Sequence, residues 1–163
     1  MLQIIAREYQ ISFRSMAKFK SLFGEFILDT QKSFLLLPQT FMNLSGVAVR
    51  SVAQYYEIVP EEILVVHDEL DFAPGVVKLK FSGGANGHNG VQSVIDCMDS
   101  RDFWRLRIGI GKPVVKDSMV EYVLAVPRSE ELAQINNAVV AVAAIIPKLM
   151  TGDFDRAITQ LHS

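Results

Sequence analysis

Four apolar residues in succession, Ile63-Leu64-Val65-Val66, lie between Pro60 and the polar stretch His67-Asp68-Glu69-Leu70-Asp71. A short apolar run with no polar alternation reads as a central strand buried on both faces. Such a strand needs helices to cover it, and the flanking sequence offers them. Phe41-Met42-Asn43 leads into a helix-spaced set, Leu44, Ala48, Val52 and Tyr55, with Ser45 or Asn43 available as its cap. Gly90 to Met98 predicts a short helix. Ser129 to Lys148 predicts a long apolar one, capped by Ser129 and ended or kinked at Pro147. Helices also fit Met1 to Tyr9, with no cap before it, and Asp153 to His162. Phe23 to Leu28 and Phe34 to Leu37 read as strands joined by the turn Asp29-Thr30-Gln31-Lys32. Val76 to Phe81 alternates as a half-exposed strand, and Arg105 to Ile110 is a further strand. Strands interleaved with helices predict a single α/β domain with a mostly parallel sheet. In such sheets ligands bind beyond the carboxyl ends of the strands.

The 163 residues suit one domain, and half of them are apolar. The one cysteine, Cys97, cannot form an intramolecular disulfide and reads as a buried core thiol. No apolar run looks long enough to cross a bilayer, and the amino terminus lacks the pattern of a signal peptide, so a cytoplasmic protein is expected. Net charge is −2 but unevenly spread. Val76 to Lys116 holds seven Lys and Arg against three Asp, a segment of +4, which leaves −6 for the rest. A basic segment on an acidic body suits a local polyanion contact, although a solvated surface explains the charge as simply.

Asp68 directly follows the apolar run and should stand at the carboxyl edge of the sheet, where a carboxylate can orient a histidine. Glu69 and Asp71 suit turn carboxylates that bind backbone N–H groups. A metal site from Asp68, Glu69 and Asp71 matches no standard ligand spacing. Ser82 to Gly90 contains Gly83, Gly84, Gly87 and Gly90, a loop able to approach a ligand closely. No Gly-Lys-Ser/Thr follows, so it is not a Walker loop. His88-Asn89 opens the next helix, where polar ligands are favoured, and His88 reads equally as a locally bonded helix-start residue. Asn43 is either an N-cap or an amide that holds a substrate carbonyl or a developing oxyanion.

Phe41-Met42-Asn43-Leu44-Ser45-Gly46, His67-Asp68-Glu69-Leu70-Asp71 with Pro74-Gly75, Gly87-His88-Asn89-Gly90 and Arg105-Leu106-Arg107-Ile108-Gly109-Ile110-Gly111 stand in one order along the chain. Together they resemble bacterial peptidyl-tRNA hydrolase, from Met1 to about His162. The resemblance implies a single α/β domain with a twisted mixed sheet flanked by helices. It implies cleavage of the ester between a peptide and the terminal ribose of tRNA, which recycles tRNA from stalled or aborted translation, with no metal and no cofactor. Asn43 and Asn89 would contact substrate near the scissile ester, Phe41 would line the same pocket, and His88 would support it. Asp68 would stabilise the catalytic histidine. Lys78, Lys80 and Arg107 would contact tRNA phosphates, positioning the backbone without reading sequence. Gly111 to Val123 resembles the family's mobile lid. Peptidyl-tRNA is the implied partner, met by a monomer away from any membrane.

The chain departs from the family pattern in two places. Asn86 stands where the family usually has glycine, which would stiffen the loop. The family's opening strand, its Asn-Pro-Gly turn and the His-Asn that supplies the general base have no counterpart, and the Met1 helix matches the first helix that follows them. None of His67, His88 and His162 matches the missing base. The expectation is therefore an amino-terminally incomplete peptidyl-tRNA hydrolase domain over residues 1–163, nearly inactive as it stands. The alternative is a catalytically silent tRNA- or RNA-binding relative. A weaker alternative is a nucleotide-binding module built on the glycine loop.

Overall fold

The computed structural model describes residues 1–112, 121, 123 and 126–162. Its contacts divide the chain into two units, Met1–Val65 with Phe81–Arg105, and Val66–Lys80 with Leu106–Ser163.

The first unit opens with α1 (Leu2–Glu8), which buries Ile5 and Ala6. Strands β1 (Arg14–Met16), β2 (Ser21–Leu28) and β3 (Gln31–Pro38) form one antiparallel sheet in that order. The β2–β3 turn is only two residues long. Leu28 pairs with Gln31, and Asp29 and Thr30 both take positive φ, 46° and 71°. That geometry matches the twist of a two-stranded ribbon and forces the strands antiparallel. Phe19, Phe23 and Val52 form a buried cluster, packed by Phe34, Leu36 and Tyr56 among others. Phe23 and Tyr56 stack at 5.8 Å between ring centroids.

Helix α2 (Ser45–Tyr56) follows a single 3-10 turn, Met42–Leu44. Helix α3 (Asn89–Met98) packs against both. A second cluster joins Val91, Val94, Ile95 and Phe103 to Val49, Ile63 and Val65. Cys97 is half-buried instead of fully buried, because its position on α3 borders an open depression next to Arg50 and Gln54.

The second sheet has the order β4-β6-β5, from β4 (Leu64–Glu69), β5 (Val77–Phe81) and β6 (Trp104–Gly109). Trp104 N–H donates to Ile63 O and Ile110 N–H to Glu69 O, a constant offset that makes β4 and β6 parallel. Gly109 N–H donates to Val76 O and Ser82 N–H to Phe103 O, so β5 and β6 run antiparallel. The sheets of this α/β fold are thus antiparallel or mixed, not mostly parallel. The tight β2–β3 turn allows only antiparallel pairing, and β5 and β6 run antiparallel although α3 lies between them in sequence, because a connection long enough for a crossover permits parallel pairing without imposing it. The apolar run is half-buried, and β4 continues through His67, Asp68 and Glu69.

In the second unit, α4 (Ser129–Met150) buries Ala138, Val139, Val142, Ala143, Ile145, Ile146 and Leu149 along one stripe, and α5 (Phe154–Leu161) packs on it. At 22 residues α4 is, by length and composition alone, long and apolar enough to cross a membrane, contrary to the sequence expectation. Its buried stripe and the helix packed on it give it the character of a core helix. Pro147 lies inside it without ending it. Ser129 is its first residue and not its cap; Arg128 holds that position, and its N–H donates to Glu131 Oε2 at 3.0 Å.

Candidate active site

The expected site residues fall into both units. In the first, Asn43 lies on the 3-10 turn before α2 and Phe41 stands at its N-cap. Phe41 is 81% exposed, and Met42 and Leu44 are also exposed, a run of apolar side chains left facing solvent. Asn43 is exposed and is not a cap, and no side chain caps α2. The Ser45 hydroxyl instead donates to Met42 O at 2.8 Å, closing the turn. Asn43 is therefore held by the backbone while its amide is not consumed by capping.

Glycine decides where this turn sits. A Cβ on Gly46 would lie 2.0 Å from Ser93 O, and the Gly46 N–H donates to Ser93 Oγ at 2.9 Å. A Cβ on Gly90 would lie 2.6 Å from Met42 Sδ. The helices approach at their amino-terminal ends because Gly46 lacks a side chain, and Gly90 leaves room for the Met42 side chain. The turn that carries Asn43 thus packs on the start of α3, which carries Asn89. A glycine inside the helical pattern at position 46 was the sequence signal for this contact.

His88 is the N-cap of α3. Its Nδ1 accepts from Gly90 N–H at 3.1 Å and from Val91 N–H at 3.2 Å. The lone pair on Nδ1 is committed, so the local structural reading of His88 holds. Asn89 is exposed on the first helical residue. The preceding loop uses positive φ at Ser82, Gly83, Asn86 and Gly87. Asn86 sits at φ 50°, a conformation asparagine tolerates better than most residues, which explains how it replaces glycine there. The loop is tethered from β6. Arg105 is 2% exposed, and its guanidinium donates to the carbonyls of Gly83 and Gly84 and lies 4.6 Å from the Phe103 ring. One of the seven cations of the basic segment is therefore a buried structural group. An arginine within a strand whose neighbours are apolar was the only hint of it.

In the second unit, Asp68 is half-buried as the penultimate residue of β4. His67 Nδ1 lies 2.7 Å from Asp68 O. Glu69 is 7% exposed, accepts from Asp71 N–H at 3.0 Å and lies 3.9 Å from Arg107 Nη1. This is the turn-carboxylate role expected of it. Asp71 pairs with Lys112, and that hydrogen bond and charge hold the Lys112 ammonium above its ordinary range. Lys78 and Lys80 are exposed on β5, while Arg107 on β6 is mostly covered. Lys78 Nζ lies 4.7 Å and Arg107 Cζ 4.8 Å from the centroid of one ring, Phe72, a residue that sequence reasoning passed over. The lid segment expected from Gly111 to Val123 falls mostly outside the described residues. Among the described residues, no three His, Cys, Asp or Glu side chains could together hold a metal ion.

Known proteins match this chain in sequence and fold. The family model described as peptidyl-tRNA hydrolase matches residues 1–163. Peptidyl-tRNA hydrolase of Nitrosomonas europaea is 44% identical over 162 residues, 99% of this chain and 83% of that protein. That of Dichelobacter nodosus is 42% identical, covering 100% of this chain and 86% of the relative. A crystal structure of peptidyl-tRNA hydrolase from Acinetobacter baumannii superposes with a TM-score of 0.94 at 36% identity, over 98% of this chain and 81% of that one. The four sequence motifs, the fold and these matches agree, and the chain belongs to the peptidyl-tRNA hydrolase family of enzymes.

Proposed function

We propose that this chain acts on peptidyl-tRNA, and that the reaction at its site is hydrolysis of the ester joining the peptide carbonyl to the terminal ribose, in the cytoplasm, by a monomer using no metal. The observation that carries the reading is the close approach at Gly46 and Gly90, with two exposed asparagine amides on the packed ends. Attack of water on the ester carbonyl puts negative charge on its oxygen. Amide N–H donors already held in place stabilise that charge without reorganising, and removing one such donor costs about 10²–10³ in kcat. Asn43 and Asn89 take that role, Phe41 offers an apolar surface beside them, and the His88 cap fixes the helix that presents Asn89. Collapse of the intermediate expels the ribose oxygen, which takes up a proton, leaving a free peptide carboxylate and tRNA. Lys78, Lys80 and Arg107 hold tRNA phosphates.

The attacking water needs a base with a pKa near neutrality, which in this family is a histidine that Asp68 steadies. The three histidines here are His67, His88 and His162, and by resemblance none of them stands at the position of that base. We therefore expect the 163-residue chain alone to turn over about 10²–10⁴-fold more slowly than a form extended to carry that histidine. Single-turnover release of tRNA from peptidyl-tRNA tests this. Equal rates for the two forms refute the missing-base reading. In the extended form, unchanged kcat after Asn43→Ala and Asn89→Ala refutes the amide roles, and unchanged kcat after Asp68→Asn refutes that of Asp68. The lack of a histidine matching that base, with Lys78, Lys80 and Arg107 retained, also motivates a second reading, a silent tRNA-binding relative. Salt-dependent tRNA binding with no turnover in either form would establish it.

A further inference from the structure

The Phe72 ring lies close to two like charges. Lys78 and Arg107 are directly opposed in the β5–β6 register set by Val76 with Gly109 and Ser82 with Phe103. Like charges at opposed positions of an antiparallel pair are destabilising. Here they are kept, and both lie under 5 Å from one ring centroid. Glu69 offsets only one of them, at a long 3.9 Å. Among the described residues the Arg107 Nε is buried without a hydrogen-bond partner. The platform itself is fixed. Gly111 N–H donates to Phe72 O at 2.9 Å, and a Cβ on Gly109 would lie 2.8 Å from Phe72 Cβ and 2.1 Å from Ala73 O. A rigid turn thus presents an aromatic ring to a pair of cations that together carry one charge more than Glu69 neutralises.

We infer that Phe72 is a positioning residue for tRNA phosphate contact, its ring holding the Lys78 ammonium and the Arg107 guanidinium as a pair that an incoming phosphate neutralises. The inference rests on the reading of Lys78 and Arg107 as phosphate contacts. The negative face of the ring attracts both cations. It limits their freedom before the ligand arrives, so less is lost on binding. Leucine at position 72 would keep apolar volume but lose this face, whereas tyrosine would keep it.

The test is tRNA affinity measured across a salt series, with thermal unfolding recorded for every variant. Lys78→Gln and Arg107→Gln should each weaken binding and lower the slope of log affinity against log salt by roughly 0.7–0.9. Phe72→Leu should weaken binding about three- to tenfold with both charges present, and Phe72→Tyr should restore it. Phe72→Met replaces the leucine variant if that one does not fold. Wild-type affinity in Phe72→Leu beside weak binding in the two charge variants overturns the role of Phe72 and leaves the phosphate reading standing. Equal losses in Phe72→Leu and Phe72→Tyr also overturn it. Wild-type affinity in both charge variants overturns the phosphate reading, and this inference with it.

Discussion

Gly46→Ala adds one methyl group where α2 meets the backbone of α3. Its Cβ would meet Ser93 O at 2.0 Å, Ser93 C at 2.4 Å and Val94 N at 2.8 Å. All three are backbone atoms inside α3, so no side chain can swing aside, and the helices must part by about 1 Å. Forcing an extra carbon into such packing costs about 1–3 kcal/mol. The Gly46–Ser93 hydrogen bond, buried and 2.9 Å long, is stretched or lost at about 1 kcal/mol more. Alanine recovers about 1 kcal/mol through its better helix propensity. The net destabilisation is about 1–3 kcal/mol, a fall in Tm of roughly 2–12 °C for a chain of this size. The separation also moves the Asn43 turn away from Asn89, and displacements of about 1 Å at a reacting centre can cost 10²-fold in rate. Calorimetry measures the first effect. Single-turnover kinetics in a form bearing the base measures the second. Ser93→Ala is the control, removing the hydrogen bond without the clash. A Tm for Gly46→Ala equal to or above that of the wild type would mean that helix propensity dominates and that the contact is looser than described.

His88→Ala should cost about 1 kcal/mol by stripping the α3 cap, whereas His88→Asn, which can still accept at that position, should recover most of it in chemical denaturation; equal losses would deny the cap. The Glu25 carboxyl is held below its usual range, first by the Tyr56 hydroxyl at 2.8 Å and then by Lys32. A depressed carboxyl contributes stability that is present above its unfolded pKa and lost as pH falls through the folded value. Tyr56→Phe should therefore flatten the acid limb of the stability–pH profile, and an unchanged limb would refute the coupling. Tyr56 itself is pushed up to about 12 by burial and by Glu25. Its contribution is complete below the ordinary tyrosine pKa of about 10 and fades as pH rises toward 12, so an alkaline absorbance titration should show a late tyrosine that Tyr56→Phe removes.

Much of the fold was legible because most elements declare themselves locally. The helical spacing of Leu44, Ala48 and Val52 and the alternation from Val76 to Phe81 became α2 and β5 nearly as read. Strand direction in the second sheet was not legible, since it depends on which strands meet, and alternation along one strand carries no record of its neighbour. The caps were misread at Ser45 and Ser129 because serine can satisfy other backbone groups: Ser45 turned to Met42 O, and Arg128 took the capping position before Ser129. Within the candidate site, the glycines and amides could be picked out by type. Arg105 and Phe72 could not, because what matters about each is a partner distant in sequence: the carbonyls of Gly83 and Gly84 for one, the cations of β5 and β6 for the other.

The Arg105 tether changes when the glycine-rich loop loses its freedom. Glycine gives up more conformational entropy on ordering than any other residue. With its carbonyls held by a buried guanidinium, the segment from Gly83 loses that entropy as the chain folds and not as a ligand docks. Association at the start of α3 should then proceed without a large entropic penalty from this loop. The cost appears instead as a lower stability of the free protein.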